Sequence, residues 1–164
     1  MFTIARYEDA SHRRGIGRVL EENGWERRYV AGQLAAIDDL TADGRPGVRG
    51  NVLVAVPEEP ESPARGPVCG FVSVEFREWN RLGQLHGLAV APGSKRRGVA
   101  SALVLAAEEF VRDLSGRGLY ADTPEINEAA RHFYRTVGYG LAYAMPDYYD
   151  DGLDGVTYLK LFSG

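Results

Sequence analysis

The segment from Leu85 to Leu114 constrains the fold more than any other part of the chain. It reads LHGLAVAPGSKRRGVASALVLAAEEFVRDL: an apolar strand that ends at Pro92-Gly93, a loop with three consecutive cations, and a helix that begins near Gly98. Backbone N–H groups at the start of a helix bind anions when small residues let the ligand approach closely. The sequence therefore predicts a strand–loop–helix unit in which the amides of residues 96–101 converge on a phosphate.

A second basic and glycine-rich segment, HRRGIG at 12–17, has similar residue types in a different setting. It follows the first predicted strand after a polar stretch, and its glycines fall inside the first predicted helix. Each glycine there costs up to about 1 kcal/mol relative to alanine. We interpret this segment as a solvated basic helix face with closely packed glycines, and we place the anion site at the loop 93–98.

Length and charge restrict the class of protein. The 164 residues suffice for one domain and are few for two. A net charge of −4 argues against a general nucleic-acid-binding protein. No apolar run approaches the ~20 residues of a membrane helix, and the first charges follow the first apolar stretch, the reverse of a secretory signal. We therefore predict a cytoplasmic protein with no nucleic-acid and no membrane partner.

The histidines and the single cysteine argue against a metal centre. His12, His86 and His132 lack the spacing of metal ligands. Cys69 lies in the apolar run PVCGFVSV and is interpreted as a small buried residue. We predict no metal site and no covalent intermediate on Cys69.

Hydrophobic periodicity predicts elements in the order β-α-α-β-β-β-α-β-α-β-β. Hairpins mixed with crossover helices indicate an α+β (α/β) domain with a sheet of mixed direction and helices on both faces. The Pro/Glu-rich segment 57–67 is predicted to be a surface loop within a hairpin, and the acidic segment 147–155 a loop between the last two strands. The predicted strands are 2–7, 51–56, 68–79, 84–91, 119–123, 139–146 and 156–162; the predicted helices are 9–22, 25–42, 98–114 and 127–138.

Two blocks of residues resemble a known superfamily, the GNAT acyl-CoA N-acyltransferases. That superfamily has a Gln/Arg-x-x-Gly-x-Gly/Ala loop between its fourth strand and third helix; here Lys95 stands at the Gln/Arg position, while Gly98 and Ala100 match. The run NEAARHFYRTVGY at 127–139 resembles a second block of the superfamily. Because the two blocks have the right order and spacing, the resemblance extends over essentially the whole chain, and it is weakest over 8–66.

The resemblance implies a single N-acetyltransferase domain over residues 1–164. Its mostly antiparallel sheet would splay open between strands four and five and hold acetyl-CoA (coenzyme A) as co-substrate. The loop would bind the pyrophosphate, and the splayed strand would pair with the pantetheine arm while one amide polarises the thioester carbonyl. The cofactor-binding residues so implied are Leu88, Ala89, Val90, Lys95, Arg96, Arg97, Gly98, Val99, Ala100, Ser101, Asn127 and Tyr134.

Two residues of the second block have predicted roles. The resemblance places Tyr134 near the CoA sulfur, where a phenol can protonate the leaving thiolate. Helical periodicity predicts that Phe133 faces the core and that Tyr134 lies about 100° away from it. Asn127 is an N-cap by residue type and position, and the resemblance adds a contact with the cofactor arm.

The general base remains open between several groups. A protonated amine must lose a proton before it attacks, so a carboxylate, a histidine or water has to accept it. His86 lies on the strand predicted to splay and Glu75 on its neighbour, and both are predicted as catalytic; Asp122, at the end of LYAD, is a further alternative. Gln84 stands where many relatives have a glutamate, which weakens the most familiar base assignment.

The segment PDYYDDGLDG bears on the acceptor. Its aspartates and tyrosines favour a cationic amine, but a solvated acidic turn explains them as well. It also resembles the YY-x-(D/N)-G-x-D loop of GNAT enzymes that acetylate protein N-termini. We expect an N-acetyltransferase in which a small primary amine attacks the thioester directly. A peptide α-amine as acceptor and a non-catalytic acyl-CoA sensor are the alternatives. A homodimer is compatible with each of these functions.

Overall fold

The computed structural model describes residues 1–42, 44–59 and 68–163. A short 3₁₀ turn, Pro92–Ser94, follows the fourth strand. Most of the predicted Pro/Glu-rich loop, residues 60–67, lies outside the described residues. The elements are β1 (Phe2–Arg6), α1 (Asp9–Glu22), α2 (Arg27–Thr41), β2 (Val48–Pro57), β3 (Gly70–Arg77), β4 (Leu82–Val90), α3 (Val99–Asp113), β5 (Gly118–Pro124), α4 (Glu128–Thr136), β6 (Gly140–Asp150) and β7 (Leu153–Leu161).

The strands form one sheet in the order β1-β2-β3-β4-β5-β7-β6. All neighbouring strands run antiparallel except β4 and β5, which are parallel. The pairing of β4 with β5 begins at Leu82–Gly118 and ends at Leu85–Ala121. Beyond that point β4 continues on β3, and β5 continues on β7 as far as Pro124. The sheet therefore opens between its fourth and fifth strands, as predicted.

Helices cover both faces of the sheet, and each face has its own apolar core. Helices α1 and α2 pack on β2 and β3 through a cluster that includes Ile16, Leu20, Ile37, Val54 and Phe71. Helices α3 and α4 pack on the other face through a cluster that includes Val74, Leu85, Leu103, Leu119 and Tyr134. The mixed sheet with helices on both faces confirms the predicted fold class.

A β-bulge at His86 reverses the side-chain alternation of β4. Gly87 lies opposite Ser73 and Leu85 lies opposite Val74, so His86 is the extra residue of β4. Leu85 packs in the core on the α3 side, whereas a Cβ on Gly87 would lie 3.1 Å from the Phe71 ring on the α2 side. Bulges re-aim side chains at such points. His86 lies on the α2 side, as alternation from Leu85 requires, and the bulge brings Gly87 to that same side.

The acidic segment near the C-terminus forms most of a hairpin, which corrects the predicted loop over 147–155. Strand β6 runs to Asp150 and β7 begins at Leu153. Two aspartates hold the turn, because Asp147 Oδ1 accepts from the Gly152 amide at 2.7 Å and Asp154 Oδ1 accepts from the Asp147 amide at 2.9 Å. Aspartate side chains commonly stabilise turns in this way, so these two carboxylates hold the backbone of the turn.

None of the helices in the described ranges is both long and apolar enough to cross a bilayer.

Candidate active site

The loop between β4 and α3 has an alternating backbone. Arg96 (φ +65°) and Gly98 (φ +79°) are left-handed, and Arg97 lies between them. Alternating left- and right-handed residues turn successive N–H groups toward one side and form a concave anion-binding nest. Glycine adopts the left-handed region at little cost. The loop therefore has the backbone that the strand–loop–helix pattern predicts.

Six consecutive amides of this loop are free to donate. Within the described ranges, the N–H groups of residues 96–101 have no backbone or side-chain acceptor; the first helical hydrogen bond runs from the Ala102 amide to the Gly98 carbonyl at 3.0 Å. The first N–H groups of a helix carry partial positive charge from the helix dipole. Lys95, Arg96 and Arg97 are exposed beside them, and none forms an ion pair with another described residue.

The segment HRRGIG lies in a different environment. Gly15 and Gly17 are buried inside α1, and a Cβ on Gly15 would lie 3.0 Å from the Val68 Cβ. Arg13 pairs with Asp38 of α2. The glycines allow close packing of α1, and the arginine is neutralised by a neighbour. This arrangement agrees with the predicted helical role of the segment.

Leu88, Ala89 and Val90 lie on the part of β4 that has left β5. Leu88 is half-buried in the α3 core, while Ala89 and Val90 are buried on opposite faces of the sheet. Asn23 Nδ2 donates to the Val90 carbonyl at 2.9 Å and fixes the end of the strand. The side chains of these residues therefore hold this part of β4 in place, and its backbone borders the opening.

Helix α4 places two of the predicted residues. Asn127 Oδ1 accepts from the Ala130 amide at 3.1 Å, which confirms the predicted N-cap. Phe133 packs against the core as predicted, but Tyr134, only 6% exposed, is buried more deeply than periodicity indicated. The reason is aromatic packing, because the Tyr134 ring stacks on Tyr158 at 5.9 Å and meets Tyr139 edge-on at 5.7 Å. Burial, and then the charge of Asp122, raise the pKa of Tyr134, and no hydrogen bond contributes.

Glu75 lies in a cluster of basic groups. The side chain is 3% exposed overall. Its carboxylate meets Arg45 at 2.7 Å, Arg77 at 3.0 Å and the Nε2 atom of His86 at 3.2 Å. Burial by itself would raise the pKa of Glu75, but hydrogen bonds from His86, Arg45 and Arg77 outweigh it and hold the pKa below its usual range. An ionised carboxylate with both oxygens engaged orients the histidine more readily than it accepts a proton from a substrate.

Glu75 should make stability depend on acidity. Its folded-state pKa lies below that of an unfolded glutamate, so its contribution is present above the unfolded pKa and is lost as the pH falls through the folded pKa. We expect the free energy of unfolding to decrease over this acidic range more steeply in the native chain than in Glu75→Gln. Urea denaturation of both chains at a series of pH values measures this difference. Equal slopes would show that the ion pairs add nothing to the folded state.

A second polar network lies where β4 and β5 part. Gln84 and Tyr120 face each other in register, and the Tyr120 hydroxyl donates to Gln84 Oε1 at 3.1 Å. Gln84 Nε2 donates to Asp122 Oδ2 at 3.2 Å. Thr157 donates to Asp122 Oδ1. Gln84, at the familiar base position, therefore links a tyrosine to the carboxylate on the opposite strand.

The hairpin and α2 meet beside this network. Arg28 Nη2 pairs with Asp150 at 2.5 Å, and the Tyr29 hydroxyl donates to the Tyr149 carbonyl at 3.3 Å. This ion pair is exposed, so its contribution to stability is small. The ion pair matters because Arg28 already neutralises Asp150. The acidic segment therefore attracts a cationic amine less strongly than its sequence indicates.

Comparison with known protein families identifies the family of this chain. A family model described as "Acetyltransferase (GNAT) family" matches residues 37–139, more than half of the chain. The chain belongs to this family. The match confirms the superfamily and the acetyltransferase class predicted from the two sequence blocks.

Individual GNAT proteins add detail. The chain is 29% identical over 126 residues to the streptothricin acetyltransferase of Streptomyces lavendulae. The alignment covers 74% of this chain and 59% of that protein, so the chain spans well under two thirds of the length of the relative.

Two solved structures share the fold at lower identity. A GNAT-family protein from Desulfovibrio desulfuricans superimposes with a TM-score of 0.82 at 20% identity, covering 98% of this chain and 99% of that one. A Bacillus anthracis protein assigned as a streptothricin acetyltransferase, solved with acetyl coenzyme A, gives 0.61 at 17% identity, covering 70% of this chain and 64% of that one.

The GNAT fold brings the predicted residues into two groups. The loop amides and β4 border the opening of the sheet from one side, and Tyr134 lies below it in the core. Glu75 and His86 form a pair on the α2 face. Asp122 was predicted from the sequence as one alternative base, but its partner Thr157 and the bond from Tyr120 to Gln84 were not, because these contacts depend on strand register. Alternation along β5 was the one signal that could have found Tyr120.

Proposed function

We propose that this chain is an acetyl-CoA-dependent N-acetyltransferase in which a primary amine attacks the thioester directly. The observation that carries the proposal is the run of six amides, residues 96–101, that have no acceptor in the described part of the chain, in the loop that follows β4 beyond its pairing with β5. A pyrophosphate is the anion that such a nest fits best, because it accepts several hydrogen bonds from one concave surface. Family membership supports the choice of an acyl-CoA.

Different residues around the opening would bind different parts of the co-substrate. The amides of 96–101 would hold the pyrophosphate, while the exposed Lys95, Arg96 and Arg97 attract its phosphates. The backbone of Leu88–Val90 would pair with the pantetheine arm, and one of its amides would stabilise the oxyanion. Asn127 has its oxygen engaged by the Ala130 amide, so its Nδ2 group is the part that can donate to the arm.

Two groups would move protons. His86, held by Glu75 through Nε2, is the proposed acceptor of the proton from the amine; Glu75 would orient it. Tyr134 is the proposed donor to the leaving sulfur, since its raised pKa keeps the phenol protonated and able to donate. When bound, acetyl-CoA supplies an acetyl group activated as a thioester; the chain supplies position, an oxyanion donor and proton transfer.

The acceptor is proposed to be a small amine. The relative with 29% identity is named for streptothricin, a small-molecule acceptor. The hairpin also leaves Asp150 paired with Arg28, which reduces the acidic surface that would favour a peptide N-terminus. A peptide α-amine remains the second candidate, because the chain has the YYDDGLD segment.

Release of free thiol from acetyl-CoA tests the proposal. We expect release only when a primary amine is present, with streptothricin and simple alkylamines as the first acceptors to try. Binding of CoA without release on any amine or peptide would make the chain an acyl-CoA sensor. Tighter binding of ATP than of CoA in a calorimetric titration would contradict the assignment of the loop.

A further inference from the structure

We infer that Asp122 binds the protonated nitrogen of the acceptor at the point where β4 and β5 part; this inference rests on the proposed function. Asp122 directly follows Ala121, the last β5 residue that pairs with β4. Its carboxylate therefore belongs to the first β5 residue beyond that pairing, where the opening begins. Four observations bear on the assignment.

Neutral donors fix the direction of this carboxylate. Gln84 Nε2 and the Tyr148 hydroxyl donate to Oδ2 at 3.2 and 3.5 Å, and Thr157 donates to Oδ1. Amide and hydroxyl donors orient a carboxylate but leave its charge in place. Asp122 is thus held in one position by donors that bring no positive charge.

Other inward-facing carboxylates of the molecule differ in having a cation beside them. Glu75 has Arg45 and Arg77, and Glu108 has Lys160 at 2.6 Å. By contrast, no Lys, Arg or His of the described ranges lies within ion-pair distance of Asp122. A partly buried carboxylate without a counter-ion favours a ligand that brings one.

The walls around Asp122 suit an ammonium group. A cavity of about 130 Å³ is lined by Gln84, Tyr120, Asp122, Tyr143, Met145, Tyr148, Gly155 and Thr157. Aromatic faces attract ammonium groups through cation–π interaction. A Cβ on Gly155 would lie 2.9 Å from the Tyr148 ring, so this glycine lets the ring lie against β7. The small volume favours the unbranched end of a primary alkylammonium.

The position of Asp122 agrees with the proposed role of Tyr134 as proton donor. Tyr134 lies near enough to Asp122 that the carboxylate adds to the effect of burial on its pKa. Asp122 is therefore within electrostatic reach of the proposed proton donor. Asp122 binds the amine in this scheme, and His86 is left to accept its proton.

Asp122→Asn tests the inference with little change in shape. For a primary alkylamine, charged at neutral pH, we expect KM to rise about 10- to 100-fold, with a smaller change in kcat. For an arylamine of similar size, uncharged at neutral pH, we expect no rise. Asp151→Asn, which removes the same charge from the exposed turn, is the matched control and should leave both constants unchanged. Thr157→Val, which keeps the carboxylate but removes one of its donors, should raise KM by less.

Three results would overturn the inference: an unchanged KM, an equal rise for charged and neutral acceptors, or a loss confined to kcat. Unchanged CoA affinity shows that a variant is folded. If the native chain acetylated no amine, the proposed function would fail, while an NMR titration with propylammonium would still decide the binding role. Shifts centred on Asp122 that vanish in Asp122→Asn support it, and their absence in the native chain contradicts it.

Discussion

Gly98→Glu is expected to weaken binding of CoA by about 100-fold or more while the chain stays folded. The new carboxylate would stand at the centre of the amide nest, where a pyrophosphate belongs. Two unit charges 4 Å apart repel by about 4 kcal/mol at an effective dielectric constant near 20; exposure of the loop reduces this figure. Calorimetric titration with CoA and thermal unfolding measure the two quantities. Unchanged CoA affinity would contradict the assignment of the loop.

Gly24 gives a close control for this variant. It has the same φ of +79° as Gly98, and a Cβ at either position meets no atom within 4 Å. Gly24→Glu therefore adds the same charge and the same backbone strain in the turn between α1 and α2. It should bind CoA normally. Gly98→Asn completes the set, because asparagine tolerates left-handed backbone and adds no charge, and it should retain most of the affinity.

Tyr134→Phe is expected to lower kcat by about 100-fold, the lower end of the contribution that proton transfer makes to catalysis. Burial and the charge of Asp122 raise the pKa of the phenol, so at neutral pH it is a proton donor. Phenylalanine keeps the stacking on Tyr158 and removes only the hydroxyl. CoA affinity should therefore change little. Steady-state kinetics with saturating acetyl-CoA measures the effect.

Tyr139→Phe is the matched control for this prediction. Tyr139 is as buried as Tyr134 and contacts its ring edge-on, so the two variants perturb the same aromatic cluster. We expect near-native kcat in Tyr139→Phe. An unchanged rate in Tyr134→Phe would assign Tyr134 to the core alone, and equal losses in both variants would indicate a packing effect.

Local patterns predicted the parts of the site that depend on neighbours in sequence. Pro92-Gly93 ends β4, small residues begin α3, and Gly98 supplies the left-handed backbone that frees the amides. The Asn127 cap of α4 is predictable in the same way, because capping needs only one side chain and an amide three residues later. These features follow from short stretches of chain, and sequence analysis could find them.

The parts of the site that depend on packing between distant elements could not be predicted from the sequence. Helical periodicity placed Phe133 inward, but contacts with Tyr158 of β7 and with Tyr139 after the helix bury Tyr134 more deeply. The partners of Asp122 come from β4, β6 and β7, so they depend on the register of four strands. The bulge at His86 likewise exists only relative to β3, and it determines that Gly87 faces α2.

The central claim is that this chain moves an acetyl group from CoA to an amine, and mass spectrometry of reaction products tests it most directly. Purified chain is incubated with acetyl-CoA and a panel of alkylamines, streptothricin and short peptides with free N-termini. We expect a product heavier by one acetyl group on a small primary amine, with native chain and Gly24→Glu but not with Gly98→Glu. Absence of any acetylated product, while CoA still binds, would contradict it.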